Sequence, residues 1–175
     1  RLWEDAQRSA KLVLSETLIE LLEKRIMELW QLYLTHQRCV AQIKEQMAEI
    51  YQRLLDNGEA LPKPIDGFVS KVNLARIIGE TGPLGDFNHE RQIKRFGGLS
   101  LRQRQSGKYR GKDKLSKKGR SRLRLILNQS IFRLIKKDGI FGELYHRKKE
   151  QGMPGTKAMT VVSRKLIPVL FALSC

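Results

Sequence analysis

A serine within a strongly basic segment is the residue whose type and setting indicate chemistry. Ser106 lies in the run Gln105-Ser106-Gly107-Lys108, where Gly107 lets the backbone approach another molecule closely. The segment from His89 to Arg124 holds fourteen Lys or Arg residues against two acids. A packed core cannot hold that charge, so the segment is predicted to contact a polyanion or solvent. We interpret it as a nucleic-acid-binding loop in which Ser106 attacks the backbone; the alternative is a solvated loop serine.

The surroundings of Ser106 offer cations and no adjacent general base. A serine hydroxyl is a poor nucleophile at neutral pH and needs a base or a metal, and Asp113 is seven residues further along the chain. Activation is therefore expected from elsewhere. Arg104, Lys108 and Arg110 are predicted to neutralise a phosphate in the transition state, where removing one such donor typically costs about 2.7–4 kcal/mol.

Tyr109 is the competing nucleophile, and its ring could equally stack on a base. The cations of the segment are most simply contacts to the nucleic-acid backbone, which position the protein without reading sequence. The predicted nucleic-acid-binding residues are Arg102, Arg104, Lys108, Tyr109, Arg110, Lys112, Lys117, Lys118, Arg120, Arg122 and Arg124.

Charge is distributed unevenly along the 175 residues, whose net charge is +16. Residues 1–66 hold nine basic and eleven acidic residues, and residues 67–175 hold twenty-five basic and seven acidic. This separates a half suited to assembly from a half suited to polyanions.

The two cysteines form neither a disulfide framework nor a metal-ligand spacing. No signal peptide or bilayer-length apolar run is visible, which predicts a cytoplasmic protein without membrane association.

The amino-terminal half carries a heptad pattern from Ile19 to Leu54, where apolar residues recur at alternating spacings of three and four. His36 is the one polar member of the seam, and no Pro or Gly occurs before Gly58. The pattern is typical of a coiled coil and predicts a homo-oligomer, a dimer or tetramer, built on a helix roughly 60 Å long. A hairpin formed with residues 2–14 of the same chain is the alternative. Because the chain begins inside a predicted helix, we also expect it to be a fragment of a longer protein.

The predicted fold class is mainly α, a long coiled-coil helix followed by a small helical domain with a helical hairpin and a basic loop. The boundary is placed at Leu61-Pro62-Lys63-Pro64, which gives a coiled-coil oligomerisation region (1–60) and a carboxy-terminal domain (61–175) that carries Ser106 and the basic segment. Two short helices are predicted within 65–97, the second with Asn88 as its N-cap. A short strand or hairpin followed by a mobile loop is predicted for 99–118. Helices are predicted from Gly119, over 140–151 and over 156–173. Their inward residues are predicted to include Leu123, Ile126, Leu127, Ile131 and Leu134, and then Ala158, Val161, Val162, Leu166 and Val169.

The order of several short motifs resembles the carboxy-terminal domain of bridge-RNA-guided insertion-sequence transposases, whose relatives include the Piv-type DNA invertases. The motifs are Leu74-Ala75-Arg76-Ile77-Ile78-Gly79-Glu80, Phe96-Gly97-Gly98-Leu99, Gln105-Ser106-Gly107-Lys108, Leu115-Ser116-Lys117-Lys118-Gly119, Arg122-Leu123-Arg124, and Tyr145 with Gly152-Met153-Pro154-Gly155. The likeness covers about residues 65–173 and is carried by order and spacing rather than by any one motif.

The resemblance implies that Ser106 becomes joined covalently to DNA. It implies DNA and guide RNA as partners, a location on the bacterial nucleoid, and an oligomer whose active sites combine two subunits. The resemblance implies that the full protein also has an amino-terminal RuvC-like domain, whose DEDD set of acids is expected to bind Mg²⁺. That domain is not expected in this chain. The chain is therefore expected to bind DNA without cutting it alone.

A second class of function is compatible with the same residues. A non-catalytic nucleic-acid-binding protein could dimerise through the coiled coil and hold phosphates through residues 99–124. Both interpretations predict salt-dependent binding. They differ at Ser106, whose replacement by alanine is inactivating in the first and nearly silent in the second. A structural coiled-coil scaffold would explain the first half of the chain and leave the basic segment unexplained.

Overall fold

The computed structural model describes residues 4, 16–102, 105–106, 109–110, 114–136 and 139–174, and within these the protein is mainly helical, as predicted. The helices are α1 (Glu16–Asp56), α2 (Lys71–Thr81), α3 (Glu90–Phe96), α4 (Ser121–Leu134), α5 (Ile140–Glu150) and α6 (Gly155–Ala172). A 3₁₀ turn covers Leu84–Asp86. The strands have two residues each and are β1 (Leu101–Arg102), β2 (Gln105–Ser106), β3 (Tyr109–Arg110) and β4 (Lys114–Leu115). Among the helices of this described part, none is long and apolar enough to cross a membrane.

The chain divides into two compact units, residues 1–44 and residues 45–175. The predicted functional division at residues 60–61 stays a prediction. Leu61 is 4% exposed, and the Tyr51 hydroxyl donates to the Pro62 carbonyl oxygen over 2.7 Å. Burial raises the pKa of Tyr51 above its ordinary value. The segment at which the domain boundary is predicted is therefore packed into the second unit.

The first unit is helical from Glu16 onwards, which confirms the helix predicted from the heptad pattern. Its seam residues are exposed, Ile26 by 64% and Ile43 by 54%. Apolar residues off the seam, Leu21 and Met27 among them, are exposed as well. A surface of this kind is normally covered by another helix. The hairpin with residues 2–14 lies outside the described residues, and self-association stays a prediction.

We expect Ile43→Lys to lower the molar mass of the protein in solution, because a charge in the seam opposes helix pairing. Light scattering of the purified chain measures this mass. Gln42→Lys is the matched control, since it adds the same charge at the neighbouring position off the seam. A wild-type chain that is monomeric, or an equal loss of mass in both variants, would contradict the coiled-coil assignment.

The core of the second unit lies between α4 and α6. The predicted inward stripe of α4 is confirmed, since Leu123, Ile126, Leu127, Ile131 and Leu134 are all buried. In α6 the prediction is confirmed for its buried residues Ala158, Val162 and Leu166. It is wrong for Val169, which is 38% exposed, while Ile167 and Leu170 are buried instead. Apolar residues occupy consecutive positions there, so the helical period does not single out one face.

The cap of α3 also differs from the prediction. His89 is the N-cap, and its Nδ1 accepts a hydrogen bond from the Arg91 backbone N–H over 3.0 Å. Asn88 lies one residue earlier, where its own N–H donates to the Gln92 side-chain oxygen over 3.0 Å. The prediction of Asn88 as the cap is therefore wrong by one residue, because it relied on the usual preference for asparagine.

Candidate nucleic-acid interface

The basic segment leaves the second unit after α3 and returns to it before α4, and main-chain hydrogen bonds join the two ends. The Arg120 N–H donates to the Phe96 carbonyl oxygen over 2.9 Å, and the Lys117 N–H donates to Gly98 over 3.0 Å. β1 then pairs antiparallel with β4, Leu101 opposite Leu115. The base of the segment is therefore an ordered backbone junction, which we call the loop base (residues 96–102 and 114–120).

Beyond the loop base, β2 pairs antiparallel with β3, and Ser106 lies opposite Tyr109. The mobile loop predicted beyond the first strand therefore contains a short ladder at 105–106 and 109–110. Two residues separate β1 from β2, whereas three separate β3 from β4. The pairing register of β2 with β3 is therefore shifted by one residue from that of β1 with β4. This offset makes Tyr109, rather than Arg110, the backbone neighbour of Ser106. The two candidate nucleophiles are thus brought together in register.

The predicted binding residues of the segment are distributed as follows. Arg104, Lys108 and Lys112 lie outside the described residues, and Ser106, Tyr109 and Arg110 are located by their backbone pairing. Arg102, Lys117 and Lys118 are exposed. The exposed side chains are available to phosphates, which is what their predicted role requires.

Gly119 is required by the close crossing of two backbone strands at the loop base. Its φ is +148°, and a Cβ there would overlap the Phe96 carbonyl oxygen and lie 2.5 Å from the Gly98 nitrogen. These are main-chain atoms, which cannot move aside as a flexible side chain can. Only glycine therefore fits at this crossing.

Arg124 stabilises the same crossing from helix α4. Its Nη1 donates to the Gly97 carbonyl oxygen over 2.8 Å and to the Gly119 carbonyl oxygen over 3.3 Å. The sequence predicted this guanidinium as a phosphate contact. In the structure it holds the loop base, so any phosphate would share it with two carbonyl groups.

Glu80, at the end of α2, lies between two of the predicted binding arginines. Its carboxylate is 3.6 Å from Arg120 Nη1 and 3.5 Å from Arg122 Nε, and its side chain is 16% exposed. The Arg120 guanidinium also lies 5.2 Å from the centroid of the Phe96 ring. No role for Glu80 was predicted from the sequence; an acid near the end of a helix that precedes the basic segment is the signal that could have suggested one.

We expect Glu80→Gln to strengthen DNA binding at low salt by about 1.4- to 5-fold, because exposed ion pairs contribute about 0.2–1 kcal/mol. The two arginines, 58% and 82% exposed at their side chains, would lose a competing anion. Fluorescence anisotropy with a labelled duplex measures the affinity. Glu150→Gln, an equal charge change at an exposed residue of α5, is the control. Unchanged or weaker binding in Glu80→Gln alone would show that the arginines are not at the interface.

Helix α3 presents further cations beside the loop base. The Lys94 Nζ lies 2.8 Å from a Glu90 carboxylate oxygen, and this hydrogen bond lowers the pKa of Glu90. Arg91 and Arg95 on the same helix are exposed. Lys94 is thus occupied within α3, whereas Arg91 and Arg95 extend the basic surface.

Within the described ranges, no group of three His, Cys, Asp or Glu side chains lies together as metal ligands.

Part of the second unit matches a known protein family. Residues 65–146 match the Transposase IS116/IS110/IS902 family. The matched range begins before α2, contains the whole basic segment with Ser106, and ends within α5. No curated protein matches the chain. The family match supports a transposase function and confirms the insertion-sequence transposase part of the resemblance seen in the sequence.

Proposed function

We propose that this chain supplies the catalytic serine and the nucleic-acid-binding surface of an RNA-guided DNA transposase or recombinase. The observation that carries the proposal is the transposase family match over residues 65–146, which contains the basic segment around Ser106. The relationship to bridge-RNA-guided enzymes and to Piv-type invertases is part of the proposal, and rests on the motif order along the chain.

The proposed reaction is a phosphoryl transfer between DNA and Ser106. The serine oxygen attacks the phosphorus of a phosphodiester, its proton passes to a base, and a serine–phosphate ester forms. The DNA oxygen on the opposite side of the phosphorus leaves and takes up a proton. Attack on the ester by a hydroxyl of a second DNA end restores a diester and frees the serine. The phosphodiester bonds broken and formed are equal in number, so the exchange needs no oxidant or nucleotide cofactor.

The basic segment would serve this reaction by binding the strand and stabilising charge. Arg104, Lys108 and Arg110 flank Ser106 in sequence and are proposed to neutralise the attacked phosphate. Lys117 and Lys118 at the loop base are exposed and are proposed to bind neighbouring phosphates. The base that accepts the serine proton is proposed to come from another subunit, because the nearest acid in the segment is seven residues away.

The test is the detection of a covalent protein–DNA species. The full-length protein is incubated with its guide RNA and a donor–target DNA pair, and the products are separated on a denaturing gel. A protein–DNA band that survives denaturation supports the proposal. Recombination without any covalent species would contradict the serine mechanism and favour a non-covalent phosphate clamp.

A further inference from the structure

A groove with an aromatic floor lies beside the loop base, between the 3₁₀ turn, α3 and the start of α4. Its volume is about 710 Å³, within the range of about 300–1,000 Å³ typical of small-molecule sites. Phe87 and Phe96 line it, with ring centroids 6.0 Å apart in an edge-to-face arrangement. Both rings are only partly buried, so aromatic surface is available inside the groove.

The rim of the groove is cationic. Arg95, Lys118 and Arg120 line it, and the described lining residues include no Asp or Glu. Arg95 and Lys118 are exposed, while the Arg120 guanidinium lies over the Phe96 ring. Aromatic surface beside the exposed cations Arg95 and Lys118 suits a ligand that has a flat aromatic part and an anionic part.

A nucleotide has this chemistry, and only an unpaired one can present it. A base within a duplex is covered on both faces by its neighbours, whereas a base in a single strand can stack on an aromatic side chain. A positive groove with stacking aromatics is how proteins bind single strands without reading their sequence. Phe87, partly buried and without a cation over its ring among the described contacts, is the residue on which a base would stack.

We propose that this groove binds one unpaired nucleotide of single-stranded DNA, with its base on Phe87 and its phosphate between Arg95 and Lys118. The inference rests on the proposed nucleic-acid function and adds a single-strand site to the duplex contacts of the basic segment. Strand exchange exposes unpaired nucleotides next to the cut, and the groove adjoins the loop base, from which the segment with Ser106 extends.

The experiment compares two fluorescein-labelled DNA molecules, a blunt duplex and the same duplex with a short single-stranded overhang, by anisotropy with the 175-residue chain. Phe87→Leu keeps an apolar side chain and removes the ring. We expect it to weaken binding of the overhang molecule about tenfold, since base stacking on an aromatic residue has an effect of this order. Binding of the blunt duplex should be unchanged. Phe132→Leu is the control, because Phe132 is 50% exposed and carries Lys136 4.6 Å above its ring outside the groove.

Equal affinity of wild type and Phe87→Leu for the overhang molecule would overturn the inference, as would an equal loss on the blunt duplex. Tighter binding of an RNA overhang than of the DNA overhang would also overturn it, in favour of a guide-RNA site. If Phe87→Leu does not fold, the exposed Lys118→Gln provides the same comparison and should weaken overhang binding more than duplex binding. The covalent-adduct assay tests the proposed role of Ser106 independently of this groove. Overhang binding without a covalent adduct would contradict the serine mechanism and would still support the nucleotide site.

Discussion

We expect Ser106→Ala to abolish the covalent protein–DNA species and recombination, with DNA affinity at the wild-type value. This result follows if Ser106 is the nucleophile, because alanine has no oxygen to attack phosphorus. Loss of a serine nucleophile lowers turnover by roughly 10⁶-fold in the best-measured serine enzyme, so we expect no detectable product. Denaturing gels read the adduct, and anisotropy with the same DNA reads the affinity.

Tyr109→Phe is the matched variant, because β2–β3 pairing places Tyr109 opposite Ser106 and the change removes only a hydroxyl. We expect Tyr109→Phe to keep the adduct. An adduct that survives Ser106→Ala and disappears in Tyr109→Phe would move the nucleophile to the tyrosine. If neither variant changes a recombination product, the segment is a phosphate clamp and the chemistry belongs to other residues.

Gly119→Ala is expected to destabilise the second unit by about 3–5 kcal/mol, which combines backbone strain at positive φ with overlap of packed atoms. The added methyl group meets the Phe96 carbonyl and the Gly98 nitrogen, and the hydrogen bond from the Arg120 N–H to Phe96 must lengthen. Denaturant unfolding followed by circular dichroism measures the free energy. DNA binding should fall in parallel, because the loop base no longer closes.

Alanine substitutions at two other glycines distinguish backbone strain from steric overlap as the cause of the destabilisation. Gly152 has φ of +76° with no atom within 4 Å of its built Cβ, so Gly152→Ala should cost only the strain of a left-handed residue, about 1–2 kcal/mol. Gly79 lies within α2, also with nothing within 4 Å, so Gly79→Ala should stabilise by about 0.5–1 kcal/mol. A cost for Gly119→Ala no larger than for Gly152→Ala would show that the crossing tolerates a side chain.

The helices could be predicted from the sequence wherever apolar residues recur at a clear helical period. In α4 the predicted core residues recur at spacings of three and four, and every one of them is buried. Near the end of α6, Leu166, Ile167, Val169 and Leu170 are close together and all apolar, so the buried face depends on which neighbours pack there. That information lies in α4 and the 3₁₀ turn, which a local pattern does not contain.

The candidate site was predictable in its charges and not in its geometry. The density of Lys and Arg marked the segment, but the contact of Arg124 with the Gly97 carbonyl joins residues 27 positions apart. The pairing of Glu80 with Arg120 spans forty positions of the sequence. Contacts between distant residues depend on how α2, α3 and α4 pack, which a local sequence pattern does not contain. All the arginines of the segment were therefore predicted to bind phosphate, including Arg124.

The closed loop base has a consequence for how this protein can change. Because main-chain hydrogen bonds join residues 96–100 to 116–120, the ends of the basic segment are held together independently of what lies between them. The entropy cost of closing a longer flexible loop on such a base rises slowly, by about 0.6 kcal/mol for each doubling of its length. Insertions and substitutions around Ser106 can therefore accumulate with little loss of folding stability. The ligand preference of the segment is free to diverge while the helical core stays the same.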